Sequence, residues 1–416
     1  MKIAIIGTGI SGLGAAYLLN RAHDITVYEK NDYIGGHSRT IQVPVDGKPI
    51  PVDTGFIVYN KRNYPLLVEL FEALKVPVIK SDMSFGVSIK NGWLEYGSKN
   101  MLSQPSNVFR LKFWGMIFDI IKFNRIADKH PETYEGKNLG EYLDFLKLGD
   151  WFKQYYLQAM GAAIWSCSVE TILSFPAKTF ITFFKNHGLL TINDHPQWYT
   201  VNGGSREYVS RISERFKHKI KFNCPVQSVA RKDGKVIVTD KLGKISEFDQ
   251  VVFACHADEA LKMMSDKTTD EQEVLGAFHY QPNRVVVHTD SSFMPKRKGA
   301  WASWVYLSEG SLDSKPVVSL SYWMNNLQSL QTDVPVIVTL NPAREPEKVK
   351  VLDEHYFTHP VFTNETYKAQ GKIDSIQGIN MYWFCGAYQR YGFHEDGLLS
   401  AVNMVKKMGV DVSWTV

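Results

Sequence analysis

The chain has 416 residues, enough for two domains, sequential or interleaved, around separate cores. Hydrophobic residues make up 44% and charged residues 22%, with a net charge of +4, and so mild an excess argues against nucleic acid as the main partner. The four cysteines form no CxxC pair, no apolar run is long enough to span a bilayer, and the chain opens directly on a strand pattern with no cleavable leader. These features predict free thiols in a reducing, cytoplasmic setting and no metal site.

The first element is legible at once. "KIAIIGTGISGLGAAYLLNRAHDITVYEK" reads as a buried parallel strand, a glycine turn, a helix and a second strand. Gly7, Gly9 and Gly12 form G-x-G-x-x-G. Gly7 permits the tight turn, Gly9 lets a pyrophosphate reach the backbone, and Gly12 lets helix and strand close on each other. The helix N-terminus offers free N–H groups to phosphate oxygens, and Glu29 closes the second strand where a carboxylate would hold ribose hydroxyls.

Next comes "KNDYIGGHSRT". Paired glycines, Gly35 and Gly36, let a loop cross close to a pyrophosphate, and Arg39 offers it a planar positive fork. This segment resembles the GG-x-x-R-[ST] motif that follows the nucleotide-binding unit in the flavin-containing amine oxidase and phytoene desaturase superfamily. The resemblance implies FAD, bound non-covalently, rather than NAD.

"IPVDTGFIVYNKRNYP" reads as an alternating strand turning into a helix at Pro65; in the superfamily this stretch runs along the flavin. From Ser81 to Thr200 the character changes to a hairpin turning at Asn91 and Gly92, then helical patterns at 106–128, 138–147, 150–163 and 176–187. Apolar, aromatic and basic residues share helical spacing over 106–128. That pattern suits either a helix packed on its own domain or one lying in a membrane interface. Gly203 and Gly204 open another helix, Asp233-Gly234 turns a hairpin, and "QVVFAC" is a second buried strand, so the chain returns to the nucleotide domain. Strand patterns between 273 and 345 predict an antiparallel sheet roofing the flavin, and "MYWFCGAYQRYGFHEDGLLSAV" predicts a strand, a turn and a closing helix beginning near Gly397.

The expected fold is α/β: a Rossmann-type FAD domain with a parallel sheet and a β-meander (1–80, 201–272, 373–416), interleaved with an α+β substrate domain (81–200, 273–372). The closest resemblance is to bacterial amine-oxidase-like proteins found beside cyclopropane-fatty-acid synthases. It rests on "VDTGFIVYN", "FPAKTF", "VNGGSREYV", "ACHADEAL" and above all "RYGFHEDGL". It implies cofactor contacts from Gly7, Gly9, Ile10, Ser11, Gly12, Glu29, Lys30, Gly36, His37, Arg39, Thr54, Gly55, Phe56, Val226, Gly386, Asp396, Gly397 and Leu398. Ala387 stands where the superfamily has the acid of a Gly-Asp pair; Asp396 is either its substitute toward the ribityl chain or a helix cap.

For catalysis, His394 lies beside an acid where its basicity could suit proton transfer, or is a structural histidine; His187 is a similar candidate. Tyr388 and Tyr391 are candidates for a pair of rings facing the flavin, and Lys296 or Lys298 for an amine near it. Three functions compete: an oxidoreductase working on a lipid acyl chain by hydride transfer to the flavin, an amine oxidase, and a non-catalytic FAD-binding partner of a methyltransferase resembling cyclopropane-fatty-acid synthase.

Overall fold

The structure, a computed structural model, describes residues 1–165, 172–186, 188–190, 196–309 and 317–414. In chain order, β1 (Lys2–Ile6), α1 (Ile10–Leu19) and β2 (Asp24–Tyr28) form the first unit, followed by the hairpin β3 (Thr40–Val45) and β4 (Lys48–Asp53) and by α2 (Pro65–Ala73). Then come β5 (Phe85–Ile89), β6 (Leu94–Gly97), α3 (Leu111–Ile126), α4 (Ala177–Asn186), α5 (Arg206–Ser213), β7 (Ile220–Lys221) and β8 (Gln250–Phe253). The last third supplies β9 (His279–His288), β10 (Trp304–Glu309), β11 (Val317–Trp323), β12 (Ile337–Leu340), β13 (Val351–Val361), β14 (Tyr382–Phe384) and α6 (His394–Lys407).

Five of these strands make one parallel sheet in the order β7-β2-β1-β8-β14. Its interior strands are apolar on both faces because helices cover one side and the antiparallel meander 226–248 the other. Every residue of α1 is buried, and Gly14 admits Leu398 of α6: a Cβ there would lie 2.7 Å from the leucine Cδ1. First and last helices therefore pack side by side, and Tyr17 Oη donates to the Trp414 carbonyl at 3.2 Å.

A second sheet runs β13-β9-β12-β11-β10-β5-β6. It is the expected antiparallel sheet with two departures. β10 pairs parallel with β5, and the edge strand β13, which the sequence reading did not anticipate, pairs with β9 along ten residues. The hairpin β3–β4, turning at Asp46 and Gly47, was also unanticipated. The helical patterns between 106 and 187 do fold as helices, and the 150–163 segment carries a π-turn at Lys153–Leu157. Among the described residues no helix is long and apolar enough to cross a membrane.

Candidate functional site

The carboxyl ends of β1 and β8 meet at the glycine loop. Gly7 has φ +106°, and a Cβ on it would lie 2.7 Å from the Ala254 carbonyl oxygen; one on Gly12 would lie 2.0 Å from the carbonyl of Gly7. At Gly9 a Cβ would meet no protein atom within 4 Å. Two of the glycines are therefore required by the fold, whereas the third leaves backbone bare toward open space. Beside this loop the Glu29 carboxylate, buried, accepts from the Thr8 N–H at 3.2 Å and from the Thr8 hydroxyl. Cys224 N–H donates to the Glu29 carbonyl at 2.8 Å, which brings Val226, at the start of the meander, to the same end. Lys30 points away and pairs with Glu259 at 2.6 Å.

The Gly35–Gly36 turn lies on the glycine loop. Gly35 N–H donates to the Thr8 carbonyl at 3.0 Å, and a Cβ on Gly36 (φ +57°) would lie 3.1 Å from Gly9 Cα. Residues 37–39 then run against 54–56: Phe56 N–H reaches the His37 carbonyl at 2.8 Å, Thr54 N–H reaches the Arg39 carbonyl at 2.9 Å, and Gly55 has no room for a Cβ against His37. Arg39 was expected to face a pyrophosphate. Its guanidinium instead makes a fork with Asp353 of β13, at 2.7 and 3.1 Å, because that strand presents a carboxylate to it.

His37 is the least satisfied group in this region. Its Nε2 is buried without a hydrogen-bond partner, and its ring stacks on Phe357 at 4.5 Å, with His359 and His256 at 5.2 and 6.3 Å. Burial, reinforced by the neighbouring imidazoles, holds His37 well below the usual histidine range, and burial holds His359 down to about 4. Bare backbone at Gly9, an orphaned imidazole nitrogen beside Gly36 and a buried carboxylate at Glu29 fit FAD. Gly9 and Gly36 would take the pyrophosphate, and Glu29 the ribose.

The closing turn departs from expectation in four respects. First, α6 begins at His394 rather than near Gly397, and Phe393 stands at its cap. Asp396 is the carboxylate that caps it, accepting from Phe393 N–H at 2.9 Å, and burial pushes its carboxyl up to about 6. Second, Gly397 and Leu398 serve packing. A Cβ on Gly397 would lie 2.9 Å from Ile10 and Ser11, which lets the first turns of α1 and α6 touch, and Leu398 is buried against Gly14.

Third, His394 is not poised for proton exchange near neutral pH. Its Nε2 lies 2.6 Å from Tyr208 Oη and 3.2 Å from Ser38 Oγ, its ring stacks on Phe56 at 3.9 Å, and burial lowers it to about 3. The adjacent acid, Glu395, turns instead to the start of α2, accepting from Leu66 and Leu67 N–H at 2.9 and 3.0 Å. Fourth, the two tyrosines do not form a pair. Tyr388 packs edge-on to Phe278 in the core beneath the parallel sheet, whereas Tyr391 faces Phe183 of α4. Gly386 N–H donates to Ser400 Oγ at 2.8 Å. Lys296 and Lys298 are exposed near β6, at the far edge of the second sheet, and His187 lies outside the described residues.

Sequence reasoning missed the residue that ties these segments together. Asp53, 1% exposed, accepts from Ser205 N–H at 2.9 Å and Oγ at 2.8 Å, from Gln328 Nε2 at 2.9 Å and from Thr40 Oγ1 at 2.5 Å. One carboxylate thus joins the β3–β4 hairpin, the turn before α5 and the loop after β11, and burial pushes it up to about 6. Its place in "VDTG" was visible in the sequence, but its partners were not.

Comparison with known proteins places this architecture. The model of the family "flavin containing amine oxidoreductase" matches residues 10–339. A Mycobacterium tuberculosis protein named as a flavin-containing monoamine oxidase, AofH, is 24% identical over 260 residues. That match takes in 59% of this chain and 54% of the relative, so the chain spans about half the relative's length. A 4,4'-diapophytoene desaturase of Staphylococcus aureus is 46% identical over 48 residues, 11% of this chain and 9% of that one. Among solved structures, a CLA-producing fatty acid isomerase from P. acnes shares the fold, with a TM-score of 0.69 at 16% identity over 97% of this chain and 98% of its own. Matched by the family along most of its length, the chain belongs to the flavin-containing amine oxidoreductases, oxidoreductase enzymes whose cofactor is FAD.

Proposed function

We propose that this enzyme acts on an apolar acyl chain, by desaturation, oxidation or double-bond isomerisation. The observation that carries the reading is the lining of the closing turn. Phe183 of α4 stacks on Phe393 at 5.0 Å and meets Tyr391 at 6.4 Å, so the aromatic helix of the 81–200 block reaches the residue that caps α6. Phe180 and Phe184, stacked at 4.2 Å and buried, carry the same ring cluster into the core of the 81–200 block. An acyl chain needs no charged partner, and each buried methylene contributes roughly 0.8 kcal/mol. Bound FAD supplies a two-electron acceptor for a hydride. The chain's own part is to keep water out with these rings and to fix His394, neutral, against Tyr208 and Ser38 as a hydrogen-bonding group beside the closing turn.

The fatty acid isomerase with the same fold supports this substrate class. A second reading, oxidation of an amine, is favoured by the AofH match. The two tyrosines that it would oppose across the flavin point apart, Tyr388 into the core and Tyr391 toward Phe183. The test is anaerobic incubation of the FAD-loaded enzyme with unsaturated and saturated fatty acids and with primary and polyamines. The flavin absorbance and the conjugated-diene absorbance of the lipid products are followed. Bleaching or diene formation with lipids, and neither with amines, is expected; bleaching by amines alone overturns the acyl reading.

A further inference from the structure

The sequence of α3 carries two apolar stripes, and the core uses only one. Phe113, Met116, Phe123 and then Ala127 are buried, spaced by three, seven and four residues along one face. Leu111, Trp114, Phe118 and Ile121 repeat at three, four and three along another face, and all four are exposed. Leu111 is 88% exposed, Phe118 66%, and Phe109, in the turn that leads into the helix, 89%. At 1.5 Å per residue the outer stripe is about 15 Å long before Phe109 is added. Isolated apolar side chains on a surface need no explanation, but a row of them at helical spacing does.

Cations outnumber acids along this helix, Lys112, Lys122 and Arg125 against Asp119. Asp119 accepts from Gly149 N–H at 2.9 Å, and Asp128, just past the helix, pairs with Lys185 at 3.2 Å. Lys122 stands one turn beyond Phe118 and Arg125 one turn beyond Ile121, both exposed, so cations flank the C-terminal end of the apolar row. Bulky apolar side chains with cations at their flank match the chemistry of an anionic bilayer surface, where rings and leucine enter the acyl boundary and the cations meet phosphate headgroups. The chain has no spanning helix among the described residues, so attachment of this kind would be reversible.

We infer that the outer face of α3, with Phe109, docks this enzyme onto the surface of a membrane carrying anionic phospholipids. The inference goes beyond the substrate reading and does not depend on it: an enzyme acting on amines could use the same surface.

The experiment is co-sedimentation of the FAD-loaded, full-length chain with vesicles of phosphatidylcholine alone or with phosphatidylglycerol added. The chain is expected to sediment with the anionic vesicles, to do so far less with phosphatidylcholine alone, and to be released in about 0.5 M NaCl. Leu111→Ser with Phe118→Ser should abolish sedimentation, with flavin content and melting temperature unchanged because both positions are exposed. Lys122→Glu with Arg125→Glu should weaken binding by at least roughly fivefold per charge. Should the serine variant fail to fold, the charge variant decides the matter without altering the apolar row. Failure of the wild-type chain to bind anionic vesicles overturns the inference. So does light scattering that shows a wild-type dimer made monomeric by the serine variant, which would assign the stripe to a second copy of the chain.

Discussion

Two glycines of one motif should fail in different ways when given a methyl group, and the geometry says which way each will fail. At Gly9 the backbone (φ −64°, ψ 179°) suits any residue, and a Cβ would touch nothing within 4 Å. Gly9→Ala should therefore cost the fold no more than about 1 kcal/mol, the difference between glycine and alanine at a helix cap. In a chain of 416 residues unfolding as one unit that is a shift of roughly 1 °C. At Gly12 the methyl would lie 2.0 Å from the Gly7 carbonyl oxygen, so α1 must move off β1; about 3 kcal/mol or more, or no folded protein, is expected. FAD affinity should show the reverse sensitivity. The Gly9 methyl stands between backbone and pyrophosphate, and losing one hydrogen bond to a charged oxygen costs about 1.5–3 kcal/mol, a roughly ten- to hundredfold weaker Kd. Thermal unfolding of the flavin-free variants and titration by quenching of flavin fluorescence measure the two effects separately. A folded Gly9→Ala protein with wild-type FAD affinity would refute the placement of the pyrophosphate at this loop.

Asp53→Ala should destabilise the protein by about 3 kcal/mol, because Ser205 and Gln328 keep buried donors with nothing to meet; a urea-unfolding loss under 1 kcal/mol would remove Asp53 from its joining role. Glu395 is raised by burial from 4.5 to about 7, so across that window the folded chain keeps a proton that the unfolded chain has released. Stability contributed at this group therefore falls as pH rises from about 4.5 to 7, by up to about 1.4 kcal/mol per pH unit. Glu395→Gln should remove that slope, seen as the difference between wild-type and variant unfolding free energies at pH 5 and pH 7. With His394 held near 3, flavin reduction should show no inflection near pH 6.5 arising from it, and His394→Gln, which keeps an acceptor for Tyr208, should slow reduction by less than about tenfold. An inflection that disappears in that variant would restore the acid–base role.

What could be read in advance was whatever depends on contacts between near neighbours in the chain. β1, the glycine turn, α1 and β2 announce themselves because the spacing of the motif is local: a Cβ on Gly12 would meet the carbonyl of Gly7 five residues earlier. The closing turn follows its strand as expected, but its side chains do not converge as the sequence suggested. Tyr388 and Tyr391 are three residues apart, and a 3-10 turn at Ala387–Gln389 sends one ring beneath the sheet and the other toward α4. The longest miss was β13. Asp353, His355, Phe357 and His359 alternate along it, and such a polar, ring-bearing row reads from sequence as a solvent-facing side. In the folded chain the members of that row meet Arg39 and His37. Partners hundreds of residues away decide whether such a face is surface or site, and no local pattern encodes them.

The order of strands in the parallel sheet also constrains how the protein can be made. β1 lies between β2 and β8, and β8 is followed by β14, so the glycine loop has its full neighbourhood only when residues 250–253 and then 382–384 have been added. At about 5–20 residues per second, a ribosome leaves β1 without its second neighbour for roughly 12–50 s. Throughout that interval an apolar strand with an open edge is exposed to other nascent chains. The segment most recognisable in the sequence is thus among the last to be completed in space. Its yield in a cell should depend on how well that edge is shielded during synthesis, and a chain cut short before α6 should accumulate as aggregate rather than as a smaller flavoprotein.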